Sequence, residues 1–382
     1  MRQNLAPANF TRRQSLALGG AAAAAVALGA GQTLAADAKP FDGPSLGELA
    51  AQKGMRFGTA LAANKTGLMD PQVTALVAAE CTIIVPENEL KMYVTHNRNA
   101  TDYDFAPGDA ILAFAESHGM ALRGHNLIWA RDEYTPKWLK DYSFSGKAEA
   151  EQMLRDYIAK VTEHYGARLT SWDVVNETID PKTGEVRANA FTRVLGMNSL
   201  RIAFEAAREH LPHMQLVYND YMSWETGNAT HRAGVLKLMR WFHDNHVPVD
   251  ALGVQSHIGN GFDLLAAEVN AWKDFLDQIT GMGYDLLVTE FDVDDQTIPT
   301  SDIDKRDAIV ATVGRLYLDQ MFSYTQTKDV LCWGMDDKYS WLQGFTPRKD
   351  GAALRCTPYD SDFRPKPLRE AIAAAFRTAP AR

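Results

Sequence analysis

Cysteine is scarce in this chain: Cys81, Cys332 and Cys356, three among 382 residues, are too few to staple a disulfide scaffold. Cys81 lies inside an apolar run and reads as a small core residue. Cys332 and Cys356 remain as a pair that an oxidising compartment would allow to join. Positive charge is short as well, with 39 Lys and Arg against 48 Asp and Glu for a net charge of −9. This balance excludes a nucleic-acid partner, because counterion release from phosphates needs clustered cations. Nucleotide and metal signatures are missing too: no G-x-G-x-x-G follows the first strand-like run, and there is no H-x-H after it, no H-E-x-x-H and no clustered Cys/His spacing. Neither cofactor nor metal is expected, and an uncharged polar ligand suits the composition.

Apolar runs of spanning length are absent after the N-terminal segment. Thr11-Arg12-Arg13-Gln14-Ser15-Leu16 precedes an Ala, Gly, Leu and Val stretch through Gly31, with small-residue cleavage positions around Ala35, Ala36 and Ala38. Paired arginines before a modestly apolar run have the form of a twin-arginine export signal over residues 1–36. The run is short and weakly apolar for a membrane anchor. An exported, periplasmic or secreted, acidic and monomeric mature protein is expected.

From residue 45 onward the chain has neither a low-complexity linker nor a short repeat, and one catalytic domain over 45–378 is the simplest organisation. Strand-like runs recur: MRFGTAL at 55, CTIIVP at 81, MALRGHNLIW at 120, LTSWDVV at 169, MQLVYN at 214, ALGVQS at 251, YDLLVTE at 284 and VLCWGM at 330. Between them lie amphipathic segments such as EAEQMLRDYIAKVTEHY and RDAIVATVGRLYLDQMF. About eight strand–helix alternations in one domain predict a single (β/α)₈ TIM barrel of the α/β class.

In such a barrel chemistry gathers at the C-terminal strand ends. Polar residues cluster there: Glu87, Asn88 and Lys91 after the second run; His125, Asn126 and Trp129 at the third; Asn176 and Glu177 at the fourth; Asn219, Asp220 and Tyr221 at the fifth. Gln255 and His257 follow the sixth, Glu290 and Asp292 the seventh, and Trp333, Asp336, Asp337 and Trp341 the eighth. Glu177 and Glu290 stand out, each directly after an apolar run. Paired carboxylates flanking a bond are what glycoside hydrolysis requires, one protonated to release the leaving oxygen, the other ionised to attack or to activate water. Trp129, Trp333, Trp341 and Tyr221 offer flat faces to a sugar ring, and Asn88, Lys91, His125, Asn176 and Gln255 offer partners to its hydroxyls. Asn176 is placed for a sugar 2-OH and His257 for orienting a carboxylate. A metal-dependent hydrolase using His125 and His257, and a silent sugar-binding protein on the same scaffold, are the other classes; missing metal motifs count against the first and the paired acids against the second.

The ordered set PENELK, RGHNLIW, WDVVNE, YNDY, GVQSHI, VTEFDV and a late WG…SW pair, closed by DSDFRPKPLREAI, resembles glycoside hydrolase family 10, the endo-β-1,4-xylanases, over roughly residues 45 to 375. The resemblance implies a (β/α)₈ barrel, retaining double displacement, a xylan or xylo-oligosaccharide substrate, and no cofactor. It implies Glu177 as acid/base, Glu290 as nucleophile, Asn176 at the 2-OH and His257 on the nucleophile. Glu87, Asn88, Lys91, His125, Trp129, Gln255, Trp333 and Trp341 would form the glycone-side set, with Tyr221 toward the aglycone. A β-1,4-glucanase using the same acids is the neighbouring alternative. The sequence departs from the family pattern beside the subsites: Met92 follows Lys91, Ala130 stands where His usually follows the Trp, and the loop ARDEYTPKW is longer. No appended carbohydrate-binding module is seen.

Overall fold

The structure, a computed structural model, describes residues 41–259, 264 and 266–382. The segment expected to be an export signal lies outside the described residues.

The strands are β1 (Arg56–Leu61), β2 (Ile83–Pro86), β3 (Ala121–Trp129), β4 (Ser171–Asn176), β5 (Gln215–Asp220), β6 (Ala251–Val254), β7 (His257–Ile258), β8 (Asp285–Val293) and β9 (Thr327–Cys332). Every pairing among them is parallel, in the order β6-β5-β4-β3-β2-β1-β9-β8-β7, and β6 also pairs with β8, which closes the ring. The two-residue β7 resumes the course of β6 beyond Gln255 and Ser256, so the barrel has eight staves. All eight of the strand-like runs are staves, and the fold is the expected single (β/α)₈ barrel.

Staves of a parallel barrel are covered by helices outside and by one another inside, so they read as continuous apolar runs. The Ile-Ile-Val-Pro of β2 and the Ala-Leu-Gly-Val of β6 are buried throughout. The covering helices carry the helical period: in Lys147–Tyr165, residues Ala150, Leu154, Tyr157, Ile158, Val161 and Tyr165 turn to the barrel. Caps set where several helices begin. Ser45 and Glu48 form a reciprocal capping box, and the Asp70 and Asp302 side chains accept backbone N–H groups of the helices they precede.

Two glycines allow close approaches that matter further up the barrel. A Cβ at Gly124 of β3 would stand 2.2 Å from the Trp172 ring of β4, and one at Gly253 of β6 would stand 2.4 Å from Oδ1 of Asn219 on β5. The cysteines depart from expectation. All three are free and buried, and the Cys356 sulfur meets the Ser340 hydroxyl at 3.1 Å, so Cys332 and Cys356 do not pair. Among the described residues no helix is long and apolar enough to cross a membrane.

Candidate active site

Both glutamates reach the barrel mouth. Glu290 projects from β8 and is 5% exposed; Glu177 stands one residue beyond β4 and is 6% exposed. The Glu177 backbone has φ of +56°, a left-handed conformation that costs a non-glycine residue roughly 1 to 2 kcal/mol. It is held there because its N–H donates to the Asn219 carbonyl at 2.9 Å, continuing the β4–β5 ladder one step past the strand. Strain of this kind persists only where the surroundings fix it.

A chain of amide groups joins the two acids. Asn219 Nδ2 donates at 2.9 Å to Glu290 Oε1 and at 2.9 Å to Asn176 Oδ1. Gln255 Nε2 donates to that same Asn176 oxygen at 3.3 Å and to Glu177 Oε1 at 3.0 Å. Asn176 Nδ2 lies 3.4 Å from Glu177 Oε1. With its oxygen occupied twice, Asn176 has its NH₂ left for Glu177. Thr289 fixes Asn219 in turn by donating to its Oδ1 at 2.7 Å, in the space that Gly253 leaves open.

On the other side of Glu290, His257 Nε2 meets Oε2 at 3.2 Å, and its Nδ1 meets Asp292 Oδ2 at 2.9 Å. The Trp341 indole N–H donates to the same Asp292 oxygen at 2.9 Å. Burial would drive the imidazole neutral, but the two carboxylates outweigh it and raise its pKa to about 10. Burial alone would likewise raise the Glu290 carboxyl; the His257 bond and the charges of His125, His257 and Lys91 instead hold it down at about 2. Glu290 is thus a buried, ionised carboxylate across most of the pH range. His125 is itself oriented by Asp173, 2.8 Å from its Nδ1, and Asp173 accepts from Arg123 at 2.5 Å. Burial lowers the Lys91 pKa against the pull of Glu290, Glu87 and Glu177, and burial raises that of Glu87.

Aromatic walls surround the acids. Trp333 meets His125 edge-on with centroids 5.4 Å apart, and Trp341 lies 4.9 Å from His257. The Lys91 ammonium sits 4.5 Å from the Trp129 ring and 5.5 Å from that of Trp333. Asn88 Oδ1 accepts from the Tyr93 hydroxyl at 2.6 Å and from Lys91 at 3.3 Å, while its NH₂ donates to Glu87 at 3.3 Å. Tyr221 stands at the opposite rim and accepts from Arg187 at 2.9 Å.

Trp129 departs from its expected part as an open platform. Tyr134 stacks on one of its faces, centroids 3.6 Å apart and planes within 10°, and the Lys91 ammonium lies 4.5 Å from the ring centroid. Four other strand-end residues are buried. Asn126 is fully buried without a hydrogen-bond partner. Asp220 is engaged by Tyr218, by the Tyr221 N–H and by His231, and Asp336 accepts the Tyr339 N–H. Asp337 binds Lys366 at 2.8 Å and Thr357, tying the loop after β9 to the C-terminal helix.

The structure adds four residues to the site. Asn219 and Asp292 stand at polar strand ends, but only the register of neighbouring strands, Asn176 opposite Asn219 and His257 opposite Asp292, shows what they hold. Arg131 and Tyr134 come from the loop after β3. Arg131 donates from Nη1 to Glu177 Oε2 at 3.2 Å and from Nε and Nη2 to Glu133. Among the described residues no group of three or more His, Cys, Asp or Glu side chains converges as a metal cage would.

Known proteins match this architecture along nearly the whole described chain. An endo-1,4-beta-xylanase 1 of Humicola insolens is 31% identical over 337 residues, 87% of this chain and 74% of its own. The crystal structure of native xylanase 10B from Thermotoga maritima superposes with a TM-score of 0.77 at 28% identity, covering 87% of this chain and 98% of that one. Xylanase 10B from Thermotoga petrophila, solved in complex with xylobiose, gives 0.78 at 27% identity over 88% and 98%. The sequence profile of glycosyl hydrolase family 10 matches residues 45–375, and the chain belongs to that family.

Proposed function

We propose that this glycoside hydrolase is an endo-acting xylanase, cleaving internal β-1,4-xylosidic bonds of xylan and xylo-oligosaccharides with retention of configuration. The observation that carries the reading is the unequal setting of the two acids: Glu290 is held ionised by His257, while Glu177 is joined to it only through neutral amides. Relatives named as endo-1,4-beta-xylanases and a related structure holding xylobiose support the substrate class.

In the first step Glu290 attacks the anomeric carbon, a C–O ester bond forms, and the glycosidic C–O bond breaks as Glu177 passes its proton to the departing oxygen. In the second, water attacks the same carbon, Glu177 takes a proton from it, and the ester bond breaks to restore the Glu290 carboxylate. Asn176, its oxygen bound by Asn219 and Gln255, presents NH₂ to the 2-OH of the reacting sugar. Lys91, Trp333 and Trp341 crowd the sugar edge where a hexose would carry its hydroxymethyl, which favours a pentose.

The test is a pair of variants and one spectrum. Glu290→Ala is expected to abolish hydrolysis, whereas Glu177→Ala slows unactivated xylo-oligosaccharides by about a hundredfold or more and largely spares the first step on activated aryl xylosides. Equal losses on both substrate types would remove Glu177 from the acid/base role. NMR of the first product should show the β-anomer; an α-anomer would overturn double displacement. Higher initial rates on cellulose than on xylan would overturn the substrate reading. We extend the proposal to an exported monomer on the strength of the paired arginines and acidic composition, checked by cell fractionation and by size-exclusion mass.

A further inference from the structure

Glu177 has two oxygens with different surroundings. Oε1 faces two amide donors, Gln255 at 3.0 Å and Asn176 at 3.4 Å. Those donors favour an unprotonated oxygen. Oε2 is met by one donor, the charged Arg131 guanidinium at 3.2 Å, so a proton on this oxygen displaces a single contact but competes with a cation.

We propose that Arg131 is a positioning residue for Glu177: it holds the proton-carrying oxygen of the acid/base in the carboxylate form and so moves the enzyme's working pH range downward. The proposal rests on the assignment of Glu177 as acid/base. When Glu177 is protonated, the guanidinium faces a neutral carboxyl and its bond loses charge assistance; when Glu177 is ionised, as the water-activating step requires, the pair is restored. Arg131 therefore favours the second step at the expense of the first.

The loop is built to keep the guanidinium in place. Asp132 pairs with Arg193 at 2.6 Å, and Tyr134 is stacked on Trp129 with Arg131 5.3 Å from its ring, so the backbone of Arg131 is tied on its C-terminal side to the rim loop and to the barrel wall. Its second partner, Glu133, has a side chain 55% exposed, whereas that of Glu177 is 8% exposed. The buried contact is the one in which charge counts more. The mutual attraction with Glu177 and Glu133 also prevails over burial in raising the Arg131 pKa, so its charge does not titrate.

Other groups face Glu177 from each neighbouring element. Lys91 approaches from the loop after β2, but it is shared with Glu290 and Glu87. Tyr134 after β3 and Tyr221 after β5 are pushed up by burial and stay neutral. Glu290 stands across the cleft behind Asn219 and Asn176. Arg131 is the cation with a hydrogen bond to Glu177 among the described residues.

The experiment compares Arg131→Ala and Arg131→Lys with the parent in two pH profiles. The first is kcat/KM on a xylo-oligosaccharide, whose alkaline limb marks loss of the acid. The second is kcat on a dinitrophenyl xylobioside, whose leaving group needs no acid, so that its acid limb marks protonation of the base. In Arg131→Ala both limbs should move upward by about one pH unit, a gain of about tenfold on the alkaline flank of the first profile and a loss of about tenfold on the acid flank of the second. Arg131→Lys, which keeps the charge, should stay within about 0.3 unit of the parent. Unmoved limbs, with rates lowered at every pH, would reduce Arg131 to a brace for the loop and overturn the proposal, as would a lysine variant shifted as far as the alanine. If Glu177→Ala fails to spare the activated substrate, the acid/base assignment itself falls and this proposal with it.

Discussion

Replacing His257 by Gln tests the electrostatics around Glu290. In the folded protein the imidazole bridges Glu290 and Asp292, and its pKa stands near about 10 against an ordinary 6.5. A base whose folded pKa is raised adds stability that is complete below the unfolded value and is lost as pH rises through the folded one. His257 therefore stabilises fully below about pH 6.5, and between there and about pH 10 the contribution drains away at about 1.4 kcal/mol per pH unit. From about pH 7 to about pH 10 this amounts to as much as about 4 kcal/mol. Glu290 behaves oppositely: held at about 2 against an ordinary 4.5, it contributes above about pH 4.5 and loses the contribution as pH falls toward about 2. With an unfolding entropy of about 2.1 cal/mol/K per residue, some 340 residues give about 0.7 kcal/mol/K, or about 2 °C in Tm for each pH unit. The assay is thermal unfolding of parent and His257→Gln at matched pH values. The parent should lead by most near about pH 6, and the gap should close by about 6 °C toward about pH 10. Subtraction removes the other titrating groups, so a gap that stays constant across this range would refute the charged, bridging imidazole.

Two further substitutions probe the amide chain. Asn219→Ala removes the donor that Glu290 and Asn176 share at 2.9 Å; the loss of a hydrogen bond to a buried charge should cost about 1.5 to 3 kcal/mol in denaturant unfolding, and kcat/KM on xylo-oligosaccharides should fall at least tenfold. Gly253→Ala puts a methyl 2.4 Å from Asn219 Oδ1 and 3.1 Å from Thr289 Cγ2, so it should destabilise by about 1 to 3 kcal/mol and lower activity although no substrate-facing group is changed. A Gly253→Ala enzyme with parental activity would mean that Asn219 does not set the acids.

The barrel was legible in the sequence because burial on both faces writes each stave as an unbroken apolar run, and because the helices between them carry the 3.6-residue period. The two acids were legible for the same reason: a carboxylate directly after such a run is conspicuous, and two of them specify a chemistry that one does not. Partnerships were less visible. Asn219 resembles any strand-end amide until the β4–β5 register sets it opposite Asn176 and beside Glu290. Asp292, Asp336 and Asp337 look equivalent as residues after β-runs, yet the first orients His257 and Trp341, the second meets a backbone N–H, and the third is bound by Lys366.

The loop after β3 shows where pattern reading ends. The stretch ARDEYTPKW has no periodicity that would fix its course, and one contact that ties it is with a distant segment, Asp132 with Arg193. That course decides two functional points at once. It lays Tyr134 over one face of Trp129, an aromatic residue that reads as a sugar platform, and it brings Arg131 to the oxygen of Glu177. Residue identity established that an indole and a carboxylate stand at the mouth. What each can do there depends on what covers the ring and what shares the oxygen, and in this chain Tyr134 and Arg131 of that loop contribute to both.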